Sequence, residues 1–308
     1  MEEDNVQNYE KYEKELVSRL QRELGFSYNV YMQNICLNNN IRRKCLFIIE
    51  KGGELAECFT IEQYYELCNK QEDIDLIAMD IIRDYKRRKA YNDDFCADKF
   101  YNWDFVKSNI MFRIINYRAN RELLQNIPHI EICDLSLVFY LLADTDVKYS
   151  KSVLINNSML RIWGAGAKEI CKNARKNTPI KLPAQFKNIN GSVSEDILNV
   201  MNEYREEELP MYILTNSMAV YGASCVLYDG MLETISQKFG SGFYVLPSSL
   251  HEVILVPAYV CDKLFAKRLK RLVMTVNFEM LPQQDVLSDS IYYYSKNEKH
   301  LFIAADSD

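Results

Sequence analysis

The 308-residue chain is poor in glycine and proline, with ten and seven, about half of average usage. That scarcity excludes collagen-like, glycine/serine-linker and proline-rich classes. Only three histidines occur, His129, His251 and His300, and no HExxH or Hx3–5H spacing joins them, so a histidine-pair zinc site is not expected. A basic excess is also missing. The balance is 37 basic to 43 acidic residues, net −6, which argues against a dedicated nucleic-acid binder. There is no GxxxxGK[ST] and no GxGxxG, so no phosphate-cradling loop is present. Long apolar runs are lacking as well. The longest, residues 135–143 and 253–261, are about half of what a membrane helix needs. No secretory signal is read in Met-Glu-Glu-Asp-Asn at the N-terminus, which is neither basic nor apolar.

The composition that remains is that of a folded protein. Hydrophobic residues are 48% and charged residues 26%, enough for a sizeable core and too apolar for a disordered chain. Nine cysteines are spread without any CxxC, and most sit in apolar runs. This pattern points to reduced thiols and a cytoplasmic setting.

Periodicity outlines the elements. Tyr9, Tyr12, Leu16, Leu20 and Leu24 fall on one helical face, and Gly25 follows as a cap. Residues 28–37 and 42–51 read as strands joined by Asn38-Asn39-Asn40, since Asn tolerates positive φ. Thr60-Ile61-Glu62-Gln63 has capping-box spacing and predicts a helix through Cys68. A second helix is predicted over 73–89, a loop over 91–101, and a strand over 106–117. A short helix over 118–125, a buried strand over 135–142 and helices over 157–163 and 167–175 follow. Residues 178–192 hold Pro179, Pro183 and Gly191 and read as a linker; 194–203 reads as helical, and 205–208 as a charged surface run.

In the last third, Met211-Tyr212-Ile213-Leu214-Thr215-Asn216-Ser217 parallels Phe243-Tyr244-Val245-Leu246-Pro247-Ser248-Ser249. Each opens a strand–strand–helix unit. The first continues through a strand over 223–228 and a helix over 231–239. The second continues through 253–256 and a helix over 262–276. Strands over 291–295 and 300–304 close the chain. The expected fold is α+β: antiparallel strand pairs, each covered by helices; a strand–strand–helix pseudo-repeat competes with chance resemblance between short strand motifs. The expected organisation is an N-terminal lobe over 1–177, a linker and helix over 178–208, and a C-terminal lobe over 209–308, or one compact unit.

Several stretches carry a resemblance. They are Asn120-Arg121-Glu122-Leu123-Leu124, Ile127-Pro128-His129 leading to Asp134-Leu135, and Asn177-Thr178-Pro179. To these are added Pro210-Met211-Tyr212-Ile213-Leu214-Thr215-Asn216, Gly222-Ala223, Pro247-Ser248-Ser249-Leu250-His251-Glu252-Val253-Ile254-Leu255, and Leu287-Ser288-Asp289 with Tyr292. In order and spacing the chain resembles an uncharacterised bacterial family of unknown function. The resemblance implies a bacterial, intracellular protein, one carried on mobile elements, and it assigns no activity.

Three constellations could carry chemistry or binding. Ser248, Ser249, His251 and Glu252 place a nucleophile, a base and a carboxylate within five positions. Yet neighbouring strand residues alternate faces, and no GxSxG elbow is present. The competing reading is a turn whose serines bond the backbone. Asp134 with Asp146 and Lys148 matches the acid and D-x-K elements of Mg²⁺-dependent nucleases, although so short a motif recurs by chance. Lys267, Arg268, Lys270 and Arg271 lie on an amphipathic helix, whose outer face could bind acidic partners or simply be solvated.

The reading these features favour is a cytoplasmic protein-interaction protein without catalytic activity, cofactor or membrane partner. Its partner is expected to be another protein rather than nucleic acid. A serine-type hydrolase at the Ser248–Glu252 turn and a Mg²⁺-dependent nuclease are the alternatives.

Overall fold

The structure is a computed structural model. It describes residues 2–53, 56–61, 64, 74–92, 97–142, 152–189, 210–247 and 249–306. The chain divides into two compact units, one of Met1–Leu37 with Ile41–Tyr101 and one of Asn38–Asn40 with Asn102–Asp308. The described part of the 178–208 stretch lies inside the second unit.

In the first unit, α1 (Glu2–Leu24) leads into β1 (Tyr28–Cys36), β2 (Arg42–Glu50) and β3 (Ala56–Thr60). These strands form an antiparallel sheet in the order β1-β2-β3. Helix α2 (Ile74–Asn92) and the short α3 (Ala97–Tyr101) follow, the latter where a loop is expected. Tyr12, Leu16 and Leu20 of α1 meet Ile77, Ala78, Ile81 and Tyr85 of α2. Both helices pack on Leu46, Ile48 and Phe59 of the sheet, so one apolar stripe per helix supplies the core. The Gln21 amide donates to the carbonyls of Gly25 and Tyr28 and accepts from the Val30 N–H. It thereby satisfies the turn after α1 and the start of β1. Asn39 and Asn40 carry the positive φ the asparagine turn calls for, 60° and 57°. Most of the helix predicted from Thr60 falls outside the described residues.

The second unit begins with α4 (Trp103–Asn109), whose N-terminus is capped by the Asn102 side chain. β4 (Ile110–Asn116) follows directly. The stretch 106–117, read as one strand, is therefore a helical turn and then a strand, because the capped helix claims Val106 to Asn109. After α5 (Arg121–Leu124) come β5 (His129–Ile132), β6 (Leu135–Leu142) and β7 (Ser152–Leu154). β4, β6 and β5 pair antiparallel, and β7 joins β6. Every residue of β6 is buried, which explains a run that is apolar but for Ser136 and the Tyr140 hydroxyl.

Helices α6 (Asn157–Trp163) and α7 (Ala167–Lys181) precede β8 (Ala184–Asn188). The 178–192 stretch is thus not irregular where it is described. α7 continues through Pro179 because tertiary bonds hold its last turn. Asn177 donates to the carbonyls of Lys107 and Ile110, and Thr178 Oγ1 accepts the Phe112 N–H. β8 then pairs with β9 (Tyr212–Asn216). The expected helix at 194–203 and the charged run at 205–208 lie outside the described residues.

The remaining elements are α8 (Met231–Phe239), β10 (Gly242–Leu246), β11 (Val253–Ala258), α9 (Lys263–Glu279), β12 (Ile291–Ser295) and β13 (His300–Ala305). They complete a six-stranded antiparallel sheet in the order β13-β12-β10-β11-β9-β8. Alternation along β10 sorts its side chains. Tyr244 and Leu246 join the core beneath α9, whereas Val245 lines the opposite face with Ile114, Leu135 and Tyr292. One expected strand is absent. Gly222–Leu227 is a 3-10 helix, so the two strand–strand–helix units are not equivalent. The architecture is α+β with antiparallel sheets throughout. Among the described residues, no helix is long and apolar enough to cross a membrane.

Candidate functional site

The sharpest sequence candidate, the 247–252 turn, connects β10 to β11. Three segments of the second unit hold it. Ser288 N–H donates to Pro247 O, Leu250 N–H to Asp285 O, and Ala223 N–H to Leu250 O. Thr215 Oγ1 donates to His251 O at 2.7 Å. The approach at Gly222 is so close that an added Cβ would lie 2.2 Å from Thr215 Oγ1 and 2.4 Å from His251 O. Only a residue without a side chain fits there.

These bonds fix the turn's polar groups. Ser249 is buried, 7% exposed, and its Oγ accepts the His251 backbone N–H at 3.0 Å, a local side-chain turn. The imidazole points elsewhere. His251 Nδ1 accepts the Tyr221 backbone N–H at 3.3 Å. In the neutral ring this leaves the proton on Nε2, which lies 3.7 Å from Asp285 Oδ1. Tyr221 stacks on the ring, with 6.0 Å between centroids and 16° between planes. The Arg113 guanidinium sits 4.3 Å from the Tyr221 centroid, a cation–π contact. Glu252 is half-buried, and burial pushes its carboxyl above the usual range, opposed by the charge of His251.

Ser249, His251 and Glu252 are therefore neighbours without a proton path from Ser249 Oγ to the ring. A nucleophilic serine needs a ring nitrogen on its oxygen. Here one nitrogen receives a backbone amide and the other faces Asp285. Ser248 lies outside the described residues. Sequence reasoning missed Asp285 and Tyr221, which lie 34 and 30 positions from His251 and carry no local signal of the pairing.

The second candidate, Asp134, sits just before β6 and is buried. Its carboxylate accepts three hydroxyls: Ser288 Oγ at 2.6 Å, Ser290 Oγ at 2.9 Å and Tyr292 Oη at 2.5 Å. Burial, and next the charge of Asp134, push the Tyr292 phenol well above its ordinary range. Ser288, Ser290 and Tyr292 follow at alternate positions, the spacing that puts side chains on one side of an extended strand. That alternation was a readable signal. Asp146 and Lys148 lie outside the described residues. No group of three or more metal-binding side chains occurs among the described residues.

The third candidate is the basic helix α9. Its inner face is core: Ala266, Leu269, Leu272, Val273 and Val276 are buried. Lys267, Arg268 and Arg271 are exposed and Lys270 is half-buried. The same outer face exposes Leu264 by 71%, Met274 by 45% and Phe278 by 84%. No acid occurs in the helix before Glu279, and Asp262 caps its N-terminus by accepting the Phe265 N–H. The four basic candidates thus lie on one element, mixed with apolar side chains that the core does not use.

Cys225 donates to Thr215 O at 3.2 Å, and burial pushes its thiol up to about 12. Such a thiol is inert at neutral pH. The seven described cysteines are thiols.

No curated protein matches the chain, and no solved structure does. A family model does match, over residues 9–296. That span contains both the Asp134 cluster and the His251 turn, whose members Thr215, Gly222, Ser249, Ser288 and Tyr292 are scattered along the sequence and meet in the fold. The chain belongs to that family, DUF5688, a family of unknown function.

Proposed function

We propose that this chain is a protein-interaction protein without catalytic activity, acting through the outer face of α9 on an acidic protein partner. The observation that carries the reading is the composition of that face. Lys267, Arg268 and Arg271 stand beside exposed Leu264, Met274 and Phe278, in a chain whose net charge is −6. Surfaces that combine cations with large apolar side chains supply both steering and buried area. The bacterial and cytoplasmic setting belongs to the same proposal and rests on sequence resemblance and cysteine usage.

The alternatives have less support. A hydrolase at Ser249 lacks the serine–histidine hydrogen bond, and the hydroxyls around Asp134 account for its carboxylate without a metal. The test is fluorescence anisotropy with labelled polyglutamate at low ionic strength. Binding that weakens with added salt, and falls about tenfold in a Lys267→Glu/Arg271→Glu variant, supports the reading. Binding unchanged in that variant removes it.

A further inference from the structure

The outer face of α9 has a spacing that narrows the partner. Leu264, Lys267, Arg271, Met274 and Phe278 are separated by three, four, three and four residues. At 3.6 residues per turn these positions form one crest, about 21 Å long at 1.5 Å per residue. It lies opposite the buried stripe of Ala266, Leu269, Leu272, Val273 and Val276. Alternating threes and fours are the repeat by which one helix meets another in a coiled-coil seam. The crest reads apolar, cationic, cationic, apolar, apolar. Lys263, Arg268 and Lys270 flank it, so the surroundings of the crest are positive on both sides.

We infer that α9 docks an amphipathic acidic helix of a partner protein, with carboxylates opposite Lys267 and Arg271 and apolar residues opposite Leu264, Met274 and Phe278. This rests on the acidic-partner reading above and specifies its form. The charge pattern selects against other occupants. A second copy of this chain crossing crest to crest would bring Lys267 and Arg271 against their equivalents, a like-charge contact. A membrane-binding helix keeps its apolar stripe continuous and its cations on the opposite side, whereas here the cations interrupt the stripe.

The experiment uses the full chain and a fluorescein-labelled peptide of about three heptads. Its seam carries glutamate at the two positions facing Lys267 and Arg271 and leucine at the others, in either direction. The comparators are the same peptide broken by two central prolines, and polyglutamate. Anisotropy is expected to show the helical peptide binding at least about tenfold tighter than either comparator. A Lys267→Glu/Arg271→Glu variant should lose that peptide and gain one with lysine at the two seam positions. Equal binding of helical and broken peptides overturns the helix inference while leaving the acidic-partner reading. Failure of all acidic probes overturns both. Tighter binding to phosphatidylserine vesicles, lost in the same variant, overturns it in favour of a membrane. A concentration-dependent dimer abolished by the variant overturns it in favour of self-association. Both substituted side chains are exposed, and circular dichroism of the variant checks that its fold is kept.

Discussion

Tyr292 Oη donates to Asp134 Oδ1 at 2.5 Å, tying β12 of the six-stranded sheet to the turn that opens β6. Ser288 and Ser290 complete the carboxylate's shell. Tyr292→Phe is expected to cost about 1.5–3 kcal/mol, the range for a hydrogen bond to a charged group. Asp134→Ala should cost more than Tyr292→Phe, since it removes the acceptor of the Ser288 and Tyr292 hydroxyls and, for Ser290 Oγ, a closer acceptor than Asp306 Oδ1 at 3.4 Å. Chemical denaturation of both variants checks this order, and an Asp134→Ala protein as stable as the wild type contradicts the structural role.

Gly222→Ala should destabilise the second unit by about 1–3 kcal/mol, the range for overpacking. Two of the three closest atoms to the added Cβ are backbone, His251 O and Asn216 N, and backbone cannot swing aside. The denaturation midpoint in urea reads this directly. An unchanged midpoint shows that the 247–252 turn is not held as tightly as described.

Glu252 sets a pH dependence. Its carboxyl is raised in the folded protein by burial, so its contribution favours folding below the unfolded pKa of about 4.3. That contribution is lost as pH rises through the raised folded value. Glu252→Gln is therefore expected to be more stable than the wild type at pH 7, with the difference closing below about pH 4. Melting temperatures across that range check the sign, and a variant less stable at pH 7 reverses it.

Ser249 should not react with a fluorophosphonate probe. Its Oγ is occupied by the His251 N–H, and no base takes its proton. Mass spectrometry of probe-treated full chain is expected to find Ser249 unmodified. Labelling there that His251→Ala abolishes would restore the hydrolase alternative.

Much of this fold is legible where one rule decides. β6 is a largely apolar run of strand length, and α9 shows a clean helical stripe; both form as read. Reading fails where contacts distant in sequence override local pattern. Gly222–Leu227 has the apolar composition of a strand. Yet Gly222 is pressed against Thr215 and His251, and Ala223 N–H is claimed by Leu250 O, which leaves a 3-10 turn. Pro179 marks a helix end by propensity, but Asn177 and Thr178 bond β4 and its approach, and the helix runs on. The candidate site divides the same way. The cations of α9 are visible in sequence because one helix carries them all. The orientation of His251 is not, because Tyr221 and Asp285 determine it from other loops.

The most direct test of an α9 docking face places a photo-crosslinker, p-benzoylphenylalanine, at Phe278 in one protein and at Ile180 in another. The substitution at Phe278 keeps an aromatic side chain on the crest and leaves Lys267 and Arg271 in place. Ile180 is also exposed, 70%, but belongs to α7. With the acidic helical peptide present, crosslinking is expected at position 278 and not at 180. Equal yields at the two positions, or none at 278 under conditions where the peptide binds, would contradict the account.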